Sequence, residues 1–184
     1  MRTNIIVVDD FYSDVDEVRK LALSQKFDVK GNFPGLRTKE FLSGGARDVI
    51  KDLVKPFSGK FIGFSSQYSG SFQIAMAKDR TWIHSDGNNK WAGVCYLTPN
   101  APHTGGTGLF RHKETGASSS FRMPKNINVP GQDYTKWDLI DVIGNKYNRL
   151  VLYRGDLFHA SLDYFGDNNE NGRLFQLFFF DTEI

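Results

Sequence analysis

A single cysteine in 184 residues excludes an internal disulfide framework. No charge of one sign dominates either. The 23 Lys and Arg against 21 Asp and Glu leave +2, which gives no drive toward nucleic acid or an acidic membrane surface. No apolar run approaches the roughly 20 residues of a membrane-spanning helix. The opening Met1-Arg2-Thr3-Asn4 leads into a short apolar stretch, Ile5-Ile6-Val7-Val8, closed by Asp9 and Asp10, and does not read as a signal peptide. The expectation is a cytoplasmic protein in a reducing compartment. Cys95, inside Val94-Cys95-Tyr96-Leu97, reads as a buried structural thiol.

Phenylalanine is abundant, with 16 residues, many in short apolar runs near the C-terminus, and such runs favour β-structure. The N-terminal third differs. After a strand over 4–8, Ser13 reads as a helix cap, with Asp14, Asp16 and Glu17 in the first turn, and a helix is expected over 14–25. Residues 28–45 read as loop. Val49, Ile50, Leu53 and Val54 mark a second helix, stopped by Pro56. Short strands are expected over 60–64, 71–77, 81–84, 91–98, 107–111, 149–153, 156–160 and 173–180. The length fits one domain over 1–184, with a helical support over 1–58 and a β core over 60–184 that carries an insertion at 112–148. The fold class is α+β, mainly β, with the helices on one face of a β-sandwich or barrel.

Only four histidines are available for chemistry: His84, His103, His112 and His159. His84-Ser85-Asp86 is an HxD triplet, and in an extended segment residues i and i+2 share a face, so one segment can present an imidazole and a carboxylate to one metal. The following Gly87-Asn88-Asn89 also allows a plain solvent-exposed turn. His159 follows the apolar run Leu150-Val151-Leu152 and could be an ordinary buried histidine. Two imidazoles and a carboxylate together suit ferrous iron with three open positions, and zinc accepts the same set. Arg173 bears on the choice. In Arg173-Leu174-Phe175-Gln176-Leu177-Phe178-Phe179-Phe180 both alternating faces are mostly apolar, so the guanidinium is expected to be buried. It then needs an anion, either an internal carboxylate or a dicarboxylic co-substrate whose other end chelates the metal.

The order His84-x-Asp86, His159, then Arg173 fourteen residues on resembles the Fe(II)/2-oxoglutarate-dependent dioxygenases. Val94-Cys95-Tyr96-Leu97-Thr98 followed by Gly105-Gly106-Thr107-Gly108-Leu109-Phe110 is similar to the YLN…GG.L.F region of their prolyl-hydroxylase-like branch. The resemblance spans about 71–180, and more loosely Val8-Asp9-Asp10-Phe11. It implies a double-stranded β-helix, the jelly roll of cupin-like folds, with the N-terminal helices packed on one sheet. It also implies Fe(II) held by His84, Asp86 and His159, with 2-oxoglutarate and O2 as co-substrates. Arg173 and Tyr96 would meet the far carboxylate of 2-oxoglutarate. The implied reaction hydroxylates a peptidyl proline, an amino acid or a small metabolite, with release of succinate and CO2. The alternative is a non-catalytic jelly-roll binding module with structural His and Asp or a passive metal. The His159 to Arg173 gap is at the long end for that branch and the 112–148 insertion is large, so substrate identity does not carry over.

Other residues read as ordinary. His103 and His112 are expected at the surface or in loops, Gln73 as a structural hydrogen-bonding group, and Trp82 and Trp91 as packing around the HxD turn. The segment 111–136, with Gly116-Ala117-Ser118-Ser119-Ser120, reads as a flexible basic loop. Gly105-Gly106-Thr107-Gly108 lacks the Lys-Ser/Thr and following helix of a phosphate loop.

Overall fold

The computed structural model describes residues 3–65 and 67–183; Met1 and Arg2 of the N-terminal reading, Ser66, and Ile184 at the end of the expected domain lie outside the described residues. Among the described residues two α-helices and ten strands form, in chain order: β1 (Ile5–Val8), α1 (Val15–Ser24), β2 (Leu36–Arg37), α2 (Gly44–Ser58), β3 (Phe61–Phe64), β4 (Phe72–Ala75), β5 (Trp91–Tyr96), β6 (Thr107–His112), β7 (Trp137–Ile143), β8 (Leu150–Arg154), β9 (His159–Ser161) and β10 (Arg173–Thr182). The larger sheet runs β1-β8-β5-β10-β4-β2, with β3 also on β10, and the smaller runs β7-β6-β9.

Both helices start on side-chain caps. Asp14, not Ser13, accepts the Glu17 N–H at 3.0 Å, and Ser43 accepts from Ala46 at 3.4 Å. The second helix is therefore longer than expected at both ends. Pro56 falls in its last turn, where the missing N–H costs one bond, and the helix stops at Ser58, before Gly59 at φ 71°. Ala22, Ile50 and Val54 pack into one cluster with Phe72, Trp91, Leu152, Leu174 and Phe178, so the helices cover one face of the larger sheet. Fully burying each large apolar side chain there contributes roughly 1.5–3 kcal/mol.

The opposite face of that sheet, with Val94, Val151, Tyr153, Phe175, Leu177 and Phe179, packs against Leu109 of β6 in the smaller sheet. β10 is buried on both faces, as its sequence predicts, and Arg173 shares the inner face with Phe175, Leu177 and Phe179. The architecture is a helix-backed jelly roll.

Two expectations are corrected and a third is qualified. Residues 81–84 are not a strand: only His84 bridges, and Ile83 N–H donates to Gly131 O at 3.0 Å. Residues 156–160 are not one strand: Gly155 and Asp156 form a turn, Leu157 makes only an isolated bridge with Ser119, and β9 begins at His159. The 111–136 segment is mostly exposed and largely irregular, as the sequence suggests, but it is anchored at points along its length. Ala117, with Met123 and Val129 beside it, packs against Ile83, Phe110, Phe158 and Ala160, and Trp137 at the start of β7 joins the same cluster. Its charges stay outside, and Phe121 is exposed as well.

Candidate metal centre

β9 carries His159, and His84 lies opposite it in an isolated antiparallel bridge. His84 N–H donates to His159 O at 3.0 Å and His159 N–H donates to His84 O at 2.8 Å. This is a hydrogen-bonded antiparallel pair, which brings the two side chains close on one face. Their ring centroids are 4.4 Å apart. The chain then turns, with Asp86 N–H on Gly155 O at 2.7 Å and Asn89 N–H on Asp86 O at 2.9 Å. That turn swings the Asp86 carboxylate back to both rings, Oδ1 lying 3.8 Å from His84 Nε2 and Oδ2 3.3 Å from His159 Nε2.

One ligand atom from each of the three residues lies within 4.8 Å of the others. The tautomers fit a metal. His84 Nδ1 is 3.0 Å from Trp82 O, and His159 Nδ1 is 3.0 Å from Leu157 O. A carbonyl can only accept, so each Nδ1 carries a proton and each Nε2 faces the centre. Burial, with His159 adjacent, pushes the His84 imidazole down to about 4, so it is neutral at physiological pH. Burial alone would raise the Asp86 carboxyl, but His159, His84 and Arg37 outweigh it and its pKa falls below the ordinary value. Two imidazoles and a carboxylate are the donor set of a ferrous facial site, so the residues present fit an iron ion.

Gly155 fits this turn closely. A Cβ there would sit 2.2 Å from Asn89 O and 2.9 Å from Asp86 O, both backbone atoms that cannot step aside. Gly155→Ala is therefore expected to move the Asp86 turn and weaken metal binding at least about tenfold, as loss of a ligand-supporting contact does. A Co(II) or Ni(II) titration of wild type and variant, set beside their melting curves, checks that the loss is local. Nothing in the local sequence marks Gly155, because its contact is with a turn 66 to 69 residues away along the chain.

Arg173 is fully buried. Its Nε donates to Gly105 O at 2.7 Å and its Nη2 to Gly106 O at 3.1 Å, so the glycine pair seats a guanidinium. Nη1 is buried with no partner, and no carboxylate among the described residues pairs with it. Its guanidinium carbon lies 4.5 Å from the Phe175 ring centroid and 5.3 Å from that of Tyr96. The Tyr96 hydroxyl bonds Thr107 Oγ1 at 2.7 Å. The internal ion pair that could have neutralised Arg173 is thus not found.

A cavity of about 510 Å³ opens over the His84-Asp86-His159 cluster. Thr107 and Phe175 line it, while Tyr96 and Arg173 stand directly behind those two residues. Trp82 lines the cavity, whereas Trp91 is core. His103 is exposed. His112, expected near the surface, is instead buried, edge-on to Trp137 with Nδ1 3.0 Å from Thr115 Oγ1. The packing of 111–136 beneath it encloses that ring. Sequence reasoning missed Arg37, which also lines the cavity. It lies in a glycine-rich stretch with no periodicity to place it.

The fold is that of the Fe(II)/2-oxoglutarate-dependent oxygenases, in their prolyl-hydroxylase-like form. HygX from Streptomyces hygroscopicus, with nickel and 2-oxoglutarate bound, aligns at a TM-score of 0.63 and 13% identity over 96% of this chain and 82% of its own. A Pseudomonas putida prolyl-4-hydroxylase aligns at 0.55 and 14% identity over 97% and 92%. A Trichoplax adhaerens prolyl hydroxylase, in complex with a hypoxia inducible factor peptide fragment, aligns at 0.54 and 15% identity over 97% and 84%. HygX has also been crystallised with hygromycin B in addition to nickel and 2-oxoglutarate. The chain itself belongs to the family described as "Family of unknown function (DUF6445)", whose model matches residues 1–180. No curated protein is similar to it in sequence.

Proposed function

We propose that this protein is an Fe(II)- and 2-oxoglutarate-dependent oxygenase that hydroxylates a small-molecule or peptide substrate, with the whole of 1–184 acting as one domain. The observation that carries the proposal is the buried Arg173 Nη1, without a carboxylate, behind the wall of a cavity that opens on three convergent metal-ligand atoms. An uncompensated buried guanidinium is costly, and a dicarboxylic co-substrate reaching from the metal supplies its counter-charge.

In this reading the Nε2 atoms of His84 and His159 and the Asp86 carboxylate hold the ion. The Nδ1 protons of both rings are donated to Trp82 O and Leu157 O, which keeps both rings in the ligating tautomer. Arg173 takes the far carboxylate of 2-oxoglutarate, with the Tyr96 hydroxyl beside it, held by Thr107. Apolar walls from Val94, Leu177 and Phe179 exclude bulk water from the reacting centre. Bound iron with 2-oxoglutarate and O2 supplies the oxidation, giving succinate and CO2 and placing a hydroxyl on the substrate. A zinc hydrolase fits less well. Asp86 is the only carboxylate among the described lining residues and cannot act as both ligand and separate base.

No helix among the described residues is long and apolar enough to cross a membrane. A cytoplasmic setting, which keeps iron ferrous and Cys95 reduced, belongs to the proposal. The test is aerobic turnover of the Fe(II)-loaded protein with 2-oxoglutarate and a metabolite extract. Succinate should form in step with a product one oxygen atom heavier than its precursor. Iron-loaded protein that releases no succinate above a metal-free control contradicts the reading.

A further inference from the structure

The cavity holds a second guanidinium that the proposed iron and 2-oxoglutarate chemistry does not use. Arg37 is the only Lys or Arg among the described lining residues, and its exposure is 9%. It is held on three sides. Its backbone pairs with Val29 and, in β2, with Gln73 of β4. Its Nε donates to Gln73 Oε1 at 2.6 Å, and Gln73 Nε2 donates in turn to Pro34 O at 2.7 Å. Its guanidinium carbon lies 3.7 Å from the Phe33 ring centroid and 4.8 Å from that of Tyr68, two rings that meet edge to face. Gly35, at φ +70°, lets this turn press on β4: a Cβ there would sit 1.9 Å from Ile74 O.

This corner fixes the plane of the guanidinium and occupies Nε. Among the described residues neither Nη1 nor Nη2 makes a hydrogen bond or a close ion pair, and Asp86 acts on the group only at longer range. Burial lowers the group's pKa to about 10, so it remains a cation at neutral pH. What is left free is one charged edge with two parallel donors, which matches a planar carboxylate. With no second Lys or Arg in the cavity, a single negative charge is matched and a phosphate dianion is left half-neutralised.

We infer that Arg37 anchors a carboxylate of the substrate, and that the substrate is a small organic acid whose apolar part lies along Phe175, Leu177 and Phe179 toward the metal centre. This rests on the oxygenase reading and narrows its substrate class. Gln73 is a positioning residue that keeps the Arg37 edge turned inward.

The test uses anaerobic protein loaded with Fe(II) and 2-oxoglutarate, titrated by calorimetry with benzoate and, separately, with benzamide, its uncharged counterpart. Wild type should bind benzoate at least about tenfold tighter than benzamide, the range of one charge-assisted bidentate pair. Arg37→Gln should erase that difference and Arg37→Lys should keep part of it, both with the 2-oxoglutarate affinity retained. Benzoate binding no tighter than benzamide in wild type overturns the inference. So does an Arg37→Gln variant that folds but loses 2-oxoglutarate, which would assign Arg37 to the co-substrate and not to the substrate. Should Arg37→Gln fail to fold, wild type and Arg37→Lys decide through the same benzoate–benzamide difference. A wild-type protein that binds Fe(II) but never 2-oxoglutarate is a different failure and overturns the oxygenase reading as well.

Discussion

Arg173→Met weakens 2-oxoglutarate binding about a hundredfold or more, the cost of removing one partner of a buried charge pair, roughly 3 kcal/mol. Metal affinity stays close to that of wild type, because Arg173 contacts none of the three ligand residues. Its bonds go to the carbonyls of Gly105 and Gly106. Those carbonyls keep other donors, Asn145 Nδ2 at 3.2 Å on Gly105 O and Leu162 N–H at 3.0 Å on Gly106 O, so losing the two Arg173 bonds costs roughly 1 kcal/mol each and the variant melts somewhat earlier. Arg173→Lys separates the two effects. It keeps the charge but loses the fork, and recovers part of the 2-oxoglutarate affinity. The check is a 2-oxoglutarate titration of each variant with a bound divalent metal, run anaerobically beside a metal titration. Loss of metal and co-substrate in equal measure would make Arg173 a folding residue only.

Asp86→Ala has the larger consequence for the centre itself. The carboxylate is the only anion in the donor set and lies 3.3 and 3.8 Å from the two imidazole nitrogens. Without it only the two imidazole rings remain, and metal affinity falls at least about a hundredfold. Thermal shift reads this directly. At a metal concentration near 100 times the wild-type dissociation constant, linkage stabilises wild type by about 2.7 kcal/mol, and the variant gains almost nothing. The metal-free proteins melt at similar temperatures, since the loss of the Asp86 charge removes a burial cost as well as an attraction. An unchanged metal-induced shift in Asp86→Ala would show that the ion sits elsewhere.

How the sequence encodes this centre is uneven. His84 and Asp86 stand out in the sequence as an HxD triplet, His159 as a histidine just after an apolar run, and Arg173 because a guanidinium on a doubly apolar strand demands a counter-charge. The pairing of His84 with His159 was legible only through the family resemblance. Residues 81–84 have no ladder of their own, and the bridge exists because β9 and Gly131 hold the segment from two sides. Long-range packing hid the rest. Gly155 matters through the carbonyl of Asn89, Arg37 through Gln73, and the 111–136 segment through an apolar cluster under the smaller sheet. The ends of α2 were misjudged because Pro56 is tolerated in a last turn, while the Ser43 cap lies in what reads as loop.

The central claim is that His84, Asp86 and His159 bind ferrous iron in a form that 2-oxoglutarate can chelate. The most direct measurement is the visible spectrum of the anaerobic protein as Fe(II) and then 2-oxoglutarate are added. A weak charge-transfer band should appear only when both are present, and should be missing in Asp86→Ala. A spectrum that stays featureless with iron demonstrably bound and 2-oxoglutarate in excess would contradict the account.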